Sequence, residues 1–152
     1  AVLEGALMSG PSDLSEEQER HLVQVARDAR LRAHAPYSHF AVGAALMDEQ
    51  GRVHAGANIE NAAYPQGLCA EAAALAHLVV AGGRRVMAAV VVGEGREAVT
   101  PCGGCRQKLR EFAGDELPVI VADGREVRLR TTLGALLPYS FGPDHLSAGR
   151  RP

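Results

Sequence analysis

The chain has 152 residues, 47% of them hydrophobic and 22% charged, with a formal net charge of -2. That apolar share supports one compact domain with a substantial core, and the weakly negative balance excludes a basic field for gripping a phosphate backbone. The expected partner is a small molecule, with neither nucleic acid nor membrane involved.

Lys and Arg together number 16, yet Lys108 is the only lysine. The opening AVLEGALMSG has no cationic leader and no apolar run reaches bilayer-spanning length, so a cytoplasmic protein is expected. Three cysteines form an odd set, poor for a disulfide framework and better suited to metal binding or redox chemistry. Residues 1–12 read as a flexible extension, with Met8 a candidate start that would leave residues 1–7 outside the natural chain. Residues 13–146 read as the single domain and 147–152 as a flexible tail.

In chain order, the first element is an amphipathic helix. Ser15 and Gln18 form a capping box, Leu22, Val25, Ala26, Ala29 and Ala33 recur at helical spacing, and the helix is expected to stop before Pro36. FAVGAALMDEQGRVHAGANIE predicts a hairpin turning at residues 48–52 and fading into a loop at 56–60. Residues 69–81, rich in Ala and Leu and closed by Gly82-Gly83, predict a buried helix. VMAAVVVG, apolar on both faces, predicts a central strand. A loop and helix follow, with Thr100 as the expected cap, Pro101 at the first helical position and Gly114 near the end. Two more strands, LPVIVAD and EVRLR, flank a turn at Asp123-Gly124, and Thr131-Thr132 introduces a short helix through Leu137. Alternating strands and helices predict a three-layer α/β/α sandwich on one mixed sheet of about five strands.

The chemistry concentrates at two helix starts. Cys102 and Cys105, three apart, share one helix face, and Cys69 opens a different helix. Positive dipole ends at both places favour thiolates, and three converging thiolates suit a zinc ion that keeps its fourth position open. Glu71 stands two residues past Cys69 in an otherwise apolar run, where it can move a proton between a water at that position and a substrate. His77, two turns past Cys69, is not spaced as a ligand. Each residue also has a plain reading: an isolated cysteine is usually a small buried hydrophobe, and Glu71 alone would serve as a first-turn carboxylate favouring the dipole. The combination is more specific, because Cys-x-Glu with Pro-Cys-x-x-Cys is a signature of zinc deaminases.

On the stretches YSHFAVGAAL, GANIENAAYPQGLCAE, PCGGCRQ with REF, and LLPYSFGPDHL, the chain resembles the small homotetrameric cytidine deaminases from about residue 15 to 146. The resemblance implies that Cys69, Cys102 and Cys105 bind one zinc per subunit and that Glu71 is the proton shuttle. It further implies that Asn58 and Glu60 bind the ribose, that Phe40 lines the pyrimidine pocket, that Ala70 contacts substrate, and that Tyr64 and Phe141 reach a neighbouring subunit's site in a homotetramer. The implied reaction replaces the amino group of cytidine or deoxycytidine by oxygen and releases ammonia, as in pyrimidine salvage, with Glu71 protonating ring nitrogen 3 and then the departing amine. One departure stands out: many members carry arginine directly after the shuttle glutamate, where this chain has Ala72. Arg106 is then expected to hydrogen-bond a cysteine sulfur and offset the surplus negative charge.

Other functions remain open at this point. A sister deaminase acting on an aminoacyl-nucleoside antibiotic shares the cysteine motifs, although the intact NIENA stretch argues against it. A structural zinc module would have no use for Glu71, and a redox protein would pair Cys102 with Cys105 and bind no metal.

Overall fold

A computed structural model describes residues 14–147. The expected extension at residues 1–12, and all of the expected tail except Ser147, lie outside the described residues. Helix α1 spans Glu16–Arg30. Its capping box closes as expected: Ser15 Oγ accepts from the Gln18 N–H at 3.1 Å and Gln18 Oε1 accepts from the Ser15 N–H at 2.9 Å. Leu22, Val23 and Ala26 are its buried face, whereas Val25 and Ala29 are only partly covered. The helix ends six residues before Pro36 because the following backbone is taken elsewhere. The His34 N–H donates to the Asn58 carbonyl, and the His34 carbonyl accepts from the Glu60 N–H.

Strands β1 (Val42–Asp48) and β2 (Val53–Ala57) form the expected hairpin. Asp48 Oδ1 shapes the turn by accepting from the N–H groups of Gln50 and Arg52 at 2.9 and 3.0 Å. With β3 (Val86–Gly93), β4 (Pro118–Ala122) and β5 (Val127–Thr132), they make one five-stranded sheet in the order β2-β1-β3-β4-β5. Only β3 and β4 run parallel. The sheet is therefore mixed, with the apolar strand β3 at its centre.

Alternation along the strands gives each face its own core. Ala45, Met47, Ala88, Val90, Val92, Ile120 and Ala122 pack under α1. Ala44, Leu46, Ala89 and Val119 pack under α2 (Ala70–Val80) and α3 (Gly103–Arg110), completing the three layers. Two glycines set how closely the helices lie. A Cβ on Gly43 would stand 2.0 Å from the Ala26 carbonyl of α1, and one on Gly56 would stand 2.2 Å from the Ala70 carbonyl at the start of α2. Only a residue without a side chain lets the backbones meet there.

Two local expectations are corrected. Helix α2 is one-sided, not buried all round: Ala70, Glu71, Ala74, Leu75 and Leu78 face inward, while His77 is exposed and Val80 is 87% exposed. It lies on the outside of a single sheet face, which covers one side of a helix. Helix α3 is capped by Cys102, not Thr100, and Pro101 precedes it. The Thr100 hydroxyl is instead taken by Arg106, whose Nη2 donates to Oγ1 at 3.0 Å. The short helix α4 (Leu133–Leu136) is capped by Thr132 as expected, and α5 (Pro143–Ser147) closes the described chain. Among the described residues no helix is long and apolar enough to cross a membrane.

Candidate active site

Packing α2 and α3 side by side on one sheet face brings their N-termini together. Cys69 caps α2, Cys102 caps α3, and Cys105 lies in the first turn of α3. The three sulfurs all lie within 4.8 Å of one another, with Cys69 and Cys102 at 3.8 Å, and all three cysteines are free. An ion about 2.3 Å from each sulfur in tetrahedral geometry would hold them about 3.8 Å apart, so the set fits zinc in both donor type and spacing. It is the only such cluster of His, Cys, Asp or Glu among the described residues. His77 lies elsewhere, its ring edge against His54 at 5.2 Å between centroids.

Glu71, in the first turn of α2, is 5% exposed. Burial pushes its carboxyl above the usual range, opposed by its own backbone N–H, by the Cys105 thiol and by the charge of Lys108. The thiols do not all shift downward as their helix positions led us to expect. Burial drives Cys69 upward, and burial with the nearby Glu71 carboxylate drives Cys105 upward further. At Cys102 burial acts the same way but is outweighed by hydrogen bonding from Cys105 and Cys69, so that thiol alone moves down. Three thiols and a carboxylate this close resist ionising together unless a cation shares the site.

A cleft of about 570 Å³ opens beside Cys69 and is lined by Tyr37, Ser38, Asn58, Glu60 and Tyr64 among others. Its polar residues are held by the backbone opposite. Asn58 Oδ1 accepts from the Val42 N–H at 2.8 Å, and its Nδ2 donates to the Phe40 carbonyl at 2.8 Å. Glu60 accepts from the N–H groups of Tyr37 and Ser38 at 2.9 and 3.1 Å and from the Ser38 hydroxyl. The Ser38 bonds hold its carboxyl below the usual range, so it stays ionised. Pinned on both sides, His39 between them adopts φ 57°, in the left-handed region that a residue with a Cβ rarely takes.

The other sequence candidates are placed as follows. Ala70 is fully buried with its carbonyl against Gly56, and it is not among the residues that line the cleft. Phe40 stands next to the cleft but is not among its lining side chains. Tyr64 lines the cleft of its own chain, edge-on to Tyr37 at 5.8 Å between centroids. Phe141 lies apart, stacked on His145 in a second crevice with Gln107 and Leu146. Arg106 is corrected: in place of a cysteine sulfur, its Nε and Nη1 donate to the carbonyls of Pro101 and Leu136, both at 2.7 Å, and Nη2 donates to Thr100. It braces the loop that delivers Cys102. The sequence alone assigns no role to Tyr37 or Ser38. The Ser38–Glu60 pairing spans 22 residues, and no local pattern signals it.

The α/β/α fold, the trio of thiols at two helix ends and the buried carboxylate beside them define a hydrolytic metalloenzyme of the deaminase type. Residues 16–121 match the family described as the cytidine and deoxycytidylate deaminase zinc-binding region. A cytidine deaminase of Sporosarcina psychrophila is 40% identical over 126 residues, covering 83% of this chain and 93% of the relative. One of Mycobacterium tuberculosis is 44% identical over 126 residues, covering 83% and 91%. The crystal structure of cytidine deaminase from Burkholderia pseudomallei superposes with a TM-score of 0.75 at 42% identity, covering 80% of this chain and 98% of that one. The chain belongs to the cytidine deaminase family.

Proposed function

We propose that the protein hydrolyses cytidine and deoxycytidine to uridine and deoxyuridine with release of ammonia, and that one domain, residues 13–146, carries the activity. The observation that carries the proposal is Glu71, a carboxylate buried on the inner face of α2, two residues past one thiol of the trio and close enough to the Cys105 thiol for each to shift the other's ionisation. Cys69, Cys102 and Cys105 would hold zinc, which when bound supplies the Lewis acidity that makes water a nucleophile near neutral pH. Glu71 takes a proton from that water and passes it to ring nitrogen 3 as oxygen adds to carbon 4. A second transfer through the same carboxylate protonates the amino group as it leaves. Burial serves this role, because a carboxyl shifted upward takes up a proton more readily than an exposed one and can still return it.

Asn58 and Glu60 would hold the ribose, Glu60 by accepting from a hydroxyl and Asn58 through the donor and acceptor capacity that its two backbone bonds leave free. Assembly as a homotetramer is supported by the apolar side chains the single chain leaves open, Leu31 at 79%, Val80 at 87% and Phe141 at 56% exposed. Three free thiols suit the reducing cytoplasm.

Ultraviolet absorbance tests the reading, with cytidine, deoxycytidine and free cytosine offered to zinc-quantified protein. Both nucleosides should be converted, with the free base disfavoured about a hundredfold or more, since the site would lose its hydroxyl partners. Equal conversion of cytosine, or no nucleoside conversion by protein carrying stoichiometric zinc, would overturn it.

A further inference from the structure

Three thiolates around a divalent ion leave one negative charge in surplus, and the buried Glu71 carboxylate adds a second. A nearby cation would stabilise such a site, and Arg106 makes no hydrogen bond to a cysteine sulfur: its three nitrogens donate to the Pro101 and Leu136 carbonyls and the Thr100 hydroxyl. Arg110, the other arginine of α3, is spent on Ser140 and Asp144.

We propose that Lys108 is the positioning cation of this site, its ammonium offsetting the surplus negative charge of the thiolates and Glu71 and so tightening the hold on the metal. Lys108 follows Cys105 by three residues, which places the two on neighbouring positions of the α3 surface. Its side chain folds back along the helix: Nζ lies 3.6 Å from where a Cβ on Gly104 would stand, between the two cysteines in sequence. Among the described residues Lys108 has no hydrogen bond or ion pair, so its charge is uncommitted. Its field already reaches the Glu71 carboxyl. The ordinary role for a lysine in the last turn of a helix is to favour the C-terminal dipole, but this ammonium points toward the N-terminal end.

The inference rests on the zinc reading above, and chelator competition for zinc at low ionic strength separates the two. Wild-type protein should take up zinc, Lys108→Met should hold it about fivefold more weakly, and Lys108→Arg should restore the wild-type constant. The difference should shrink in about 1 M salt, where the screening length falls to about 3 Å. Arg125→Met, at the β4–β5 turn on the α1 side, controls for net charge and should change nothing. Equal zinc affinity in Lys108→Met and wild type, an equal loss in Arg125→Met, or a matching fall in the melting temperature of metal-free Lys108→Met would overturn the role of Lys108. A wild type that takes up no zinc would overturn the metal reading itself.

Discussion

Three helices begin with nearly the same backbone and different chemistry. Ser15, Cys69 and Cys102 all take extended cap dihedrals, with φ and ψ of -72° and 157°, -73° and 154°, and -65° and 166° respectively. Ser15 uses that geometry to close a reciprocal pair of hydrogen bonds, whereas neither cysteine closes a side-chain cap. A good oxygen cap contributes about 1 kcal/mol. At α2 and α3 that contribution is forgone, and the uncapped N–H groups and dipole ends face a cluster of sulfurs instead. The same backbone device stabilises the α1 side of the sheet and supplies the chemistry on the other.

Among changes at the helix starts and their glycine seats, the largest effect should come from Cys102→Ser, which gives α3 the kind of cap that α1 has. Deamination should fall by at least about a hundredfold as the zinc site loses a ligand. The metal-free protein should meanwhile gain about 0.5–1 kcal/mol in urea melts. A metal-free variant no more stable than wild type would break the comparison. Next comes Gly56→Ala, whose Cβ meets the backbone of both Ala70 and Ala74 and must lift α2 from β2. A loss of about 1–3 kcal/mol is expected together with weakened zinc binding, because Cys69 and Glu71 move with the helix. Gly43→Ala, pressing α1 away from the opposite face, should cost similar stability and leave zinc affinity unchanged. The smallest effect should be that of Ser15→Ala: about 1 kcal/mol in thermal or urea melts, with turnover per folded molecule unaltered.

Much of the framework was legible in residue order because its signals are local. The capping box at Ser15, the Asp48 turn, the all-apolar strand β3 and the spacing of Cys102 to Cys105 each declare themselves within a few residues. What was misread depends on partners that no capping or spacing pattern reaches. Thr100 looked like a cap because nothing nearby shows that Arg106 claims its hydroxyl, and Arg106 looked free for sulfur because the Leu136 carbonyl lies 30 residues on. The thiol shifts were misjudged for the same reason. Each helix end alone favours a thiolate, but bringing both together adds burial and mutual repulsion that a single helix does not show.

The central claim is that Glu71 is buried at the meeting of two thiol-tipped helices in order to carry protons, not to hold the metal. Zinc content and cytidine turnover of wild type and Glu71→Gln, measured side by side, test it most directly. The account predicts one zinc per chain in both proteins and turnover reduced about a thousandfold in the variant. Turnover within tenfold of wild type, or loss of the zinc along with the activity, would contradict it.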